Sequence, residues 1–119
     1  MAGYISAGED FNIKKDNLIL KINSPKDRLE GPFCVVAKDI DERWAIVAFN
    51  WDGNPSLGMR WFWGNGGNPF SSGHPTWCVI PEALTENIIP GLDIEEDKKD
   101  LISRFLKGHI SGEELVKLL

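Results

Sequence analysis

The sequence predicts a single α+β domain: a curved antiparallel sheet of about five strands, on the plan of an SH3-like partly open barrel, with two short C-terminal helices. Three observations predict it. Short apolar runs bounded by turn residues recur between residues 18 and 80. The links between consecutive runs are short, which favours antiparallel pairing. After residue 96 the apolar spacing becomes helical. At 119 residues the chain is one domain by length and can build a core without staples. Residues 1–96 are expected to be mainly β and residues 97–119 a helical hairpin.

The elements follow in order. Leu18–Ile22 is short, apolar and rich in isoleucine and leucine, and reads as a strand. Asn23–Pro32 carries two prolines and a glycine and reads as a loop. Phe33–Lys38, Arg43–Phe49 and Leu57–Trp63 form a strand meander. Asp39–Glu42 and Asn50–Ser56 are its turns, the second marked by Asp52-Gly53 and Asn54-Pro55. In the middle strand Trp44, Ile46 and Ala48 oppose Ala45, Val47 and Phe49. Both faces are apolar, as in a central strand covered on each side. In the third strand alternation puts Leu57, Met59, Trp61 and Trp63 on the face expected to be core, with Arg60 and Phe62 on the other.

Thr76–Pro81 reads as a further strand, and Pro81–Ile88 as a helical turn or two. In Asp97–Lys107, Leu101, Ile102, Phe105 and Leu106 share one helical face, and Gly108 is placed to cap the end. His109, next to that cap, reads as a capping residue. Ser111 with Glu114 three residues on is a capping box, opening a second helix with Leu115, Val116, Leu118 and Leu119. Helices this short need a sheet or another chain to pack against.

Composition limits the function classes. The chain is 42% hydrophobic and 26% charged, which is that of a globular domain. Its net charge is −5; residues 81–119 hold nine acidic against five basic residues. No basic stripe offers a nucleic-acid surface. No apolar run reaches the ~20 residues of a membrane span, and the first residues lack a signal-peptide core, so a cytoplasmic setting is expected. Cys34 and Cys78 both lie in apolar strand segments and are expected to be reduced, buried thiols. Neither a metal site nor a cofactor is expected. Asp39, Asp41 and Glu42 suit a turn, and the acids of Leu92–Asp100 suit a solvated helix start.

The concentration of aromatic residues and glycine between Arg60 and Trp77 is the functional lead. This stretch holds three tryptophans, two phenylalanines, four glycines and a histidine. Its centre, Gly64–Pro75, is long for a strand connection, and long connections in compact domains often carry function. It matches neither a P-loop nor a dinucleotide-binding fingerprint. Trp61, Trp63 and Trp77 flank it; inward they are core, and at the loop mouth they are a stacking platform. Trp51, in a turn beside Asp52 and Asn54, is the tryptophan expected to be exposed. The candidate ligand-binding residues are therefore Trp51, Asp52, Trp61, Trp63, Asn65, Asn68, His74 and Trp77. His74 is also a weak catalytic candidate, since a general base needs a nucleophile and an orienting acid; Ser71, Ser72 and Asp52 would have to meet it.

Two stretches carry resemblances. Trp51–Pro81, within a match over residues 43–81, resembles small bacterial proteins of the mobile integron gene-cassette type. That implies a cytoplasmic bacterial protein acting as an oligomeric or small-molecule-binding module. Gly108–Leu119 is similar to short bacterial C-terminal helical-hairpin modules with a G-x-I-[ST]-x-E-E-[LF] pattern; Gly108, Ile110, Ser111, Glu113, Glu114 and Leu115 fit it. That implies oligomerisation. The expected function is a non-enzymatic binding or interaction module. Its expected partner is a small molecule or a peptide, with a homodimer as the form of self-association. The alternatives are a small hydrolase-like enzyme using His74 and a structural homo-oligomer subunit.

Overall fold

A computed structural model describes residues 24–39, 41–62, 67–71 and 74–119. The expected strand Leu18–Ile22 lies outside the described residues. The class is α+β, as the sequence predicts. Strands β1 (Leu29–Asp39), β2 (Trp44–Trp51), β3 (Asn54–Trp61) and β6 (Cys78–Ile80) form one antiparallel sheet in the order β1-β2-β3-β6. The sheet is open: among the described residues β6 and β1 are its two edges. Strands β4 (Phe70–Ser71) and β5 (His74–Pro75) pair separately as a small ribbon.

Helix α1 (Glu82–Ile88) follows β6 and runs into a single 3₁₀ turn (Ile89–Gly91). Helices α2 (Glu96–Leu106) and α3 (Gly112–Leu118) complete the chain. Among the described residues there are thus three helices, the first being the helical turn or two expected over Pro81–Ile88.

The β2–β3 hairpin is set by two residues. Asp52 (φ 50°) and Gly53 (φ 81°) both take the left-handed region that a type I′ turn needs. Trp51 therefore opposes Asn54 directly, and Asn54-Pro55, expected in the turn, already belongs to β3. A two-residue turn whose twist matches the strands leaves no need for a wider loop.

The sheet is covered on both faces. On one, Val36, Ile46, Ala48, Leu57 and Ile80 pack with Ile102 and Phe105 of α2 and Leu115 of α3. On the other, Ala45, Val47, Phe49, Phe62 and Trp77 make a second buried cluster with Leu29. The prediction for β2 holds. That for the third strand is corrected: Arg60 and Phe62 are fully buried, while Trp61, assigned to the core, is 39% exposed. Leu57 is core as expected, and Met59 is partly buried against it. The second face closes over Gly58, where the Phe49 ring lies directly on the backbone and meets Trp77 edge-on, centroids 6.2 Å apart.

The C-terminal helices follow the sequence signals closely. Gly108 adopts φ 78°, and the Gly108 and His109 amides donate to Phe105 and Arg104 carbonyls, the Schellman ending of α2. At α3 the Glu114 amide donates to Ser111 Oγ at 3.1 Å, and the Ser111 amide donates to Glu114 Oε1 at 3.3 Å. Leu115 is buried, but Val116 and Leu118, also among the apolar residues this helix was expected to carry, are exposed. A seven-residue helix makes barely two turns, so only one of its faces meets the sheet.

A Cβ at Gly58 would overlap the Phe49 ring. Gly58→Val should therefore lower the free energy of unfolding by about 1–3 kcal/mol or more through overpacking, read by urea denaturation. Gly53→Ala, with open space around it but φ 81°, should cost less.

Candidate functional site

The residues singled out from sequence fall at two ends of the sheet. Trp51, Asp52 and Asn54 lie at the β2–β3 turn. Trp61 and Asn68 lie at the far end of β3, about 24 Å away for an eight-residue strand. Trp63 and Asn65 lie outside the described residues. His74 lies in β5, and its side chain is outside the description. The backbone route from Asn68 to His74 starts at the Trp61 end, so Asp52 is not brought to His74.

At the Trp61 end, Arg60 organises the chain. Its side chain is fully buried, with Nη1 donating to the Thr76 carbonyl at 3.0 Å and the guanidinium 5.1 Å from the Phe62 ring centre. Burial pulls its pKa down to about 10, so it remains a cation at neutral pH. Gly67 (φ 69°) packs on this group; a Cβ there would overlap the guanidinium and the Trp61 carbonyl. Trp61 and Asn68 exchange both backbone hydrogen bonds, at 2.7 and 2.9 Å. This part of the glycine-rich connection is thus held against β3, and glycine is required where it touches Arg60. Trp77, a candidate for the loop mouth, is only 4% exposed and belongs to the core. Its indole fills the space over Gly58 beside Phe49.

At the other end the surface opens. Strand β6 pairs with β3 only as far as Ile80 opposite Leu57, and Pro81 then turns the chain into α1. The edge of β3 from Asn54 to Ser56 is left facing a cleft of about 360 Å³. Trp51 and Pro55 form one wall, Val79 and Pro81 another, and Glu82, Thr85 and Leu106 the side made by the helices. Trp51 is half-buried, with the Arg28 guanidinium 6.0 Å from its ring centre and Arg28 ion-paired to Asp52 at 2.7 Å. A separate, smaller pocket of about 50 Å³ shares Glu82, Thr85 and Leu106 with it and is also lined by Glu86 and Lys107.

Of the residues singled out from sequence, Trp51 and Asn54 line this cleft and Asp52 does not; Ser56, Val79, Glu82, Thr85 and Leu106 line it without having been singled out. The cleft exists because β6 stops short of β3, and no local motif records where one strand ends against another. The proline after a short apolar run, at Pro81, was the available signal.

Cys34 in β1 and Cys78 in β6 stand at opposite edges of the sheet, three strand spacings or about 14 Å apart. Both thiols are free, and that distance is beyond a disulfide. Cys78 is exposed rather than buried, because β6 is an edge strand. Cys34 is half-buried, and burial raises its pKa. Among the described residues no group of His, Cys, Asp and Glu could hold a metal ion, and no helix is long and apolar enough to cross a membrane.

The fold and site define an α+β domain with an open antiparallel sheet and a cleft at one end. Compared with known proteins, the chain matches no family model, no curated protein and no solved structure.

The exposure of Cys78 and the raised pKa of Cys34 act in the same direction. Iodoacetamide at mildly alkaline pH should alkylate Cys78 about tenfold or more faster than Cys34 in the native protein, with the rates converging in urea. Peptide mass mapping reads the difference; equal native rates would contradict the burial of Cys34.

Proposed function

We propose that this protein is a non-enzymatic binding module whose ligand is a small molecule seated in the cleft at the Trp51 end of the sheet. The observation that carries the reading is the cleft itself: about 360 Å³, open, with an indole on one wall and polar groups converging from β3 and α1. Its size falls at the lower end of small-molecule sites, roughly 300–1,000 Å³. The resemblance to cassette-encoded bacterial proteins supports the same reading, including a cytoplasmic setting.

The β3 edge favours a small molecule over an added peptide strand. Trp51 and Asn54 close a two-residue turn and so form a hydrogen-bonded pair, which leaves the next residue, Pro55, facing away from β2. Proline has no amide to donate, so this edge cannot support a strand ladder. The hydrolase alternative loses its Asp52 arm to the separation along β3.

A thermal-shift screen over sugars, nucleosides, amines and carboxylic acids tests the reading. Asn54 is exposed on the cleft wall, so Asn54→Trp narrows the cleft without disturbing the core. A compound that raises the melting temperature of the native protein should lose its effect in Asn54→Trp and in Trp51→Ala. A hit that stabilises all three equally binds elsewhere and overturns the assignment.

A further inference from the structure

The hydrogen-bonding pattern of the cleft points to a ligand class. Two hydroxyls line it, Ser56 and Thr85. Each has one hydrogen to give, and each gives it to a nearby backbone carbonyl: Ser56 Oγ to Asn54 O at 3.0 Å and Thr85 Oγ1 to Glu82 O at 2.7 Å. What both can still offer is lone pairs. Pro55 turns a carbonyl outward at the same edge and has no amide beside it. Among the described residues Glu82 is the ionisable side chain on the wall of the main cleft, and a carboxylate is an acceptor only. The adjoining smaller pocket is lined by Glu82, by Glu86 one turn on, and by Lys107, whose charge offsets that of Glu86 there. The remaining wall is the Asn54 amide, which both donates and accepts, and an otherwise apolar lining led by the Trp51 ring, Pro55, Val79 and Leu106.

Such a wall accepts hydrogen bonds, carries negative charge and offers a π face. Helix α1 opens beside it, but that helix is seven residues long and carries Glu82 at its own start, which offsets its weak positive end. Arg28 approaches Trp51 with its charge already met by Asp52. The net charge of −5 acts in the same sense at longer range.

We infer that the cleft takes a small organic ammonium: a protonated amine donating to Glu82 and to the Ser56 and Thr85 oxygens, with an apolar body against Trp51. This rests on the binding-module reading and adds the charge and donor character of the ligand. A neutral ligand of the same shape would leave the charge of Glu82 unmet, and an anionic one would be repelled by it.

The test uses three isosteric probes on the full chain at pH 7 and low salt: benzylammonium, benzyl alcohol and benzoate. Amide chemical shifts locate the binding and titration gives affinities. The expected result is that benzylammonium alone perturbs Ser56, Val79, Glu82 and Thr85. Its binding should weaken about three- to fivefold in Glu82→Gln, an exposed position that does not threaten folding, and weaken again in high salt. If all three probes bind at these residues with similar affinity and Glu82→Gln changes nothing, the ammonium assignment is overturned while the binding module stands. If benzoate binds there and benzylammonium does not, the sign of the site is wrong. If no probe perturbs the cleft and the broader screen also finds nothing lost in Asn54→Trp, both readings fall together.

Discussion

The β2–β3 ladder is buried on both faces, and the charge of Arg60 lies inside one of them. A sheet in that position must have every side chain answered. On the helical face the answer is conventional: aliphatic residues of α2 and α3 seal Ile46, Ala48 and Leu57. On the other face it is less so. Phe49 occupies the space that a side chain at residue 58 would need, Trp77 closes over it, and the guanidinium of Arg60 is met from within the chain at Nη1 by the Thr76 carbonyl and across its face by the Phe62 ring. An unanswered cation at that depth would be strongly destabilising. The path of the chain around Gly67 and Thr76 is therefore tied to the need to cover and bond this one side chain.

That constraint divides the molecule into two ends with different properties. At the Trp61 end, the backbone bridge to Asn68 and the contact of Gly67 with Arg60 leave little freedom of conformation. At the Trp51 end, β6 terminates early and the helices begin, so walls from three directions surround space instead of filling it. The tight turn at Asp52-Gly53 sets the register that puts Trp51, Pro55 and Ser56 beside that space. Rigid strands and a short helix position the polar atoms around it.

Much of the architecture was legible because it rests on local signals. The doubly apolar pattern of β2, the Asp-Gly turn, the glycine ending α2 and the capping box opening α3 each state their structure within a few residues. The faces of β3 were not legible in the same way. Arg60 is a charged residue on an alternating strand, so its face reads as solvent; only the contacts with Thr76, Gly67 and Phe62 make it interior. Trp61 reads as core by size and is exposed because it stands at the end of β3, past the last residue paired with β6. The glycine-rich connection drew attention by composition, yet its described residues serve the packing of Arg60. The cleft lies where Pro81 ends a three-residue strand, a feature marked in the sequence by that proline alone.

Amide hydrogen exchange on Arg60→Met, compared with the native protein, tests most directly whether the buried guanidinium holds one end of the molecule while the cleft end stands apart from it. Methionine keeps much of the side-chain volume and removes the donor to Thr76. The account predicts that the Trp61, Asn68 and Thr76 amides lose protection while Trp51, Leu57 and Ile80 keep theirs. Equal loss at both ends, or no loss at Trp61 and Asn68, would contradict it.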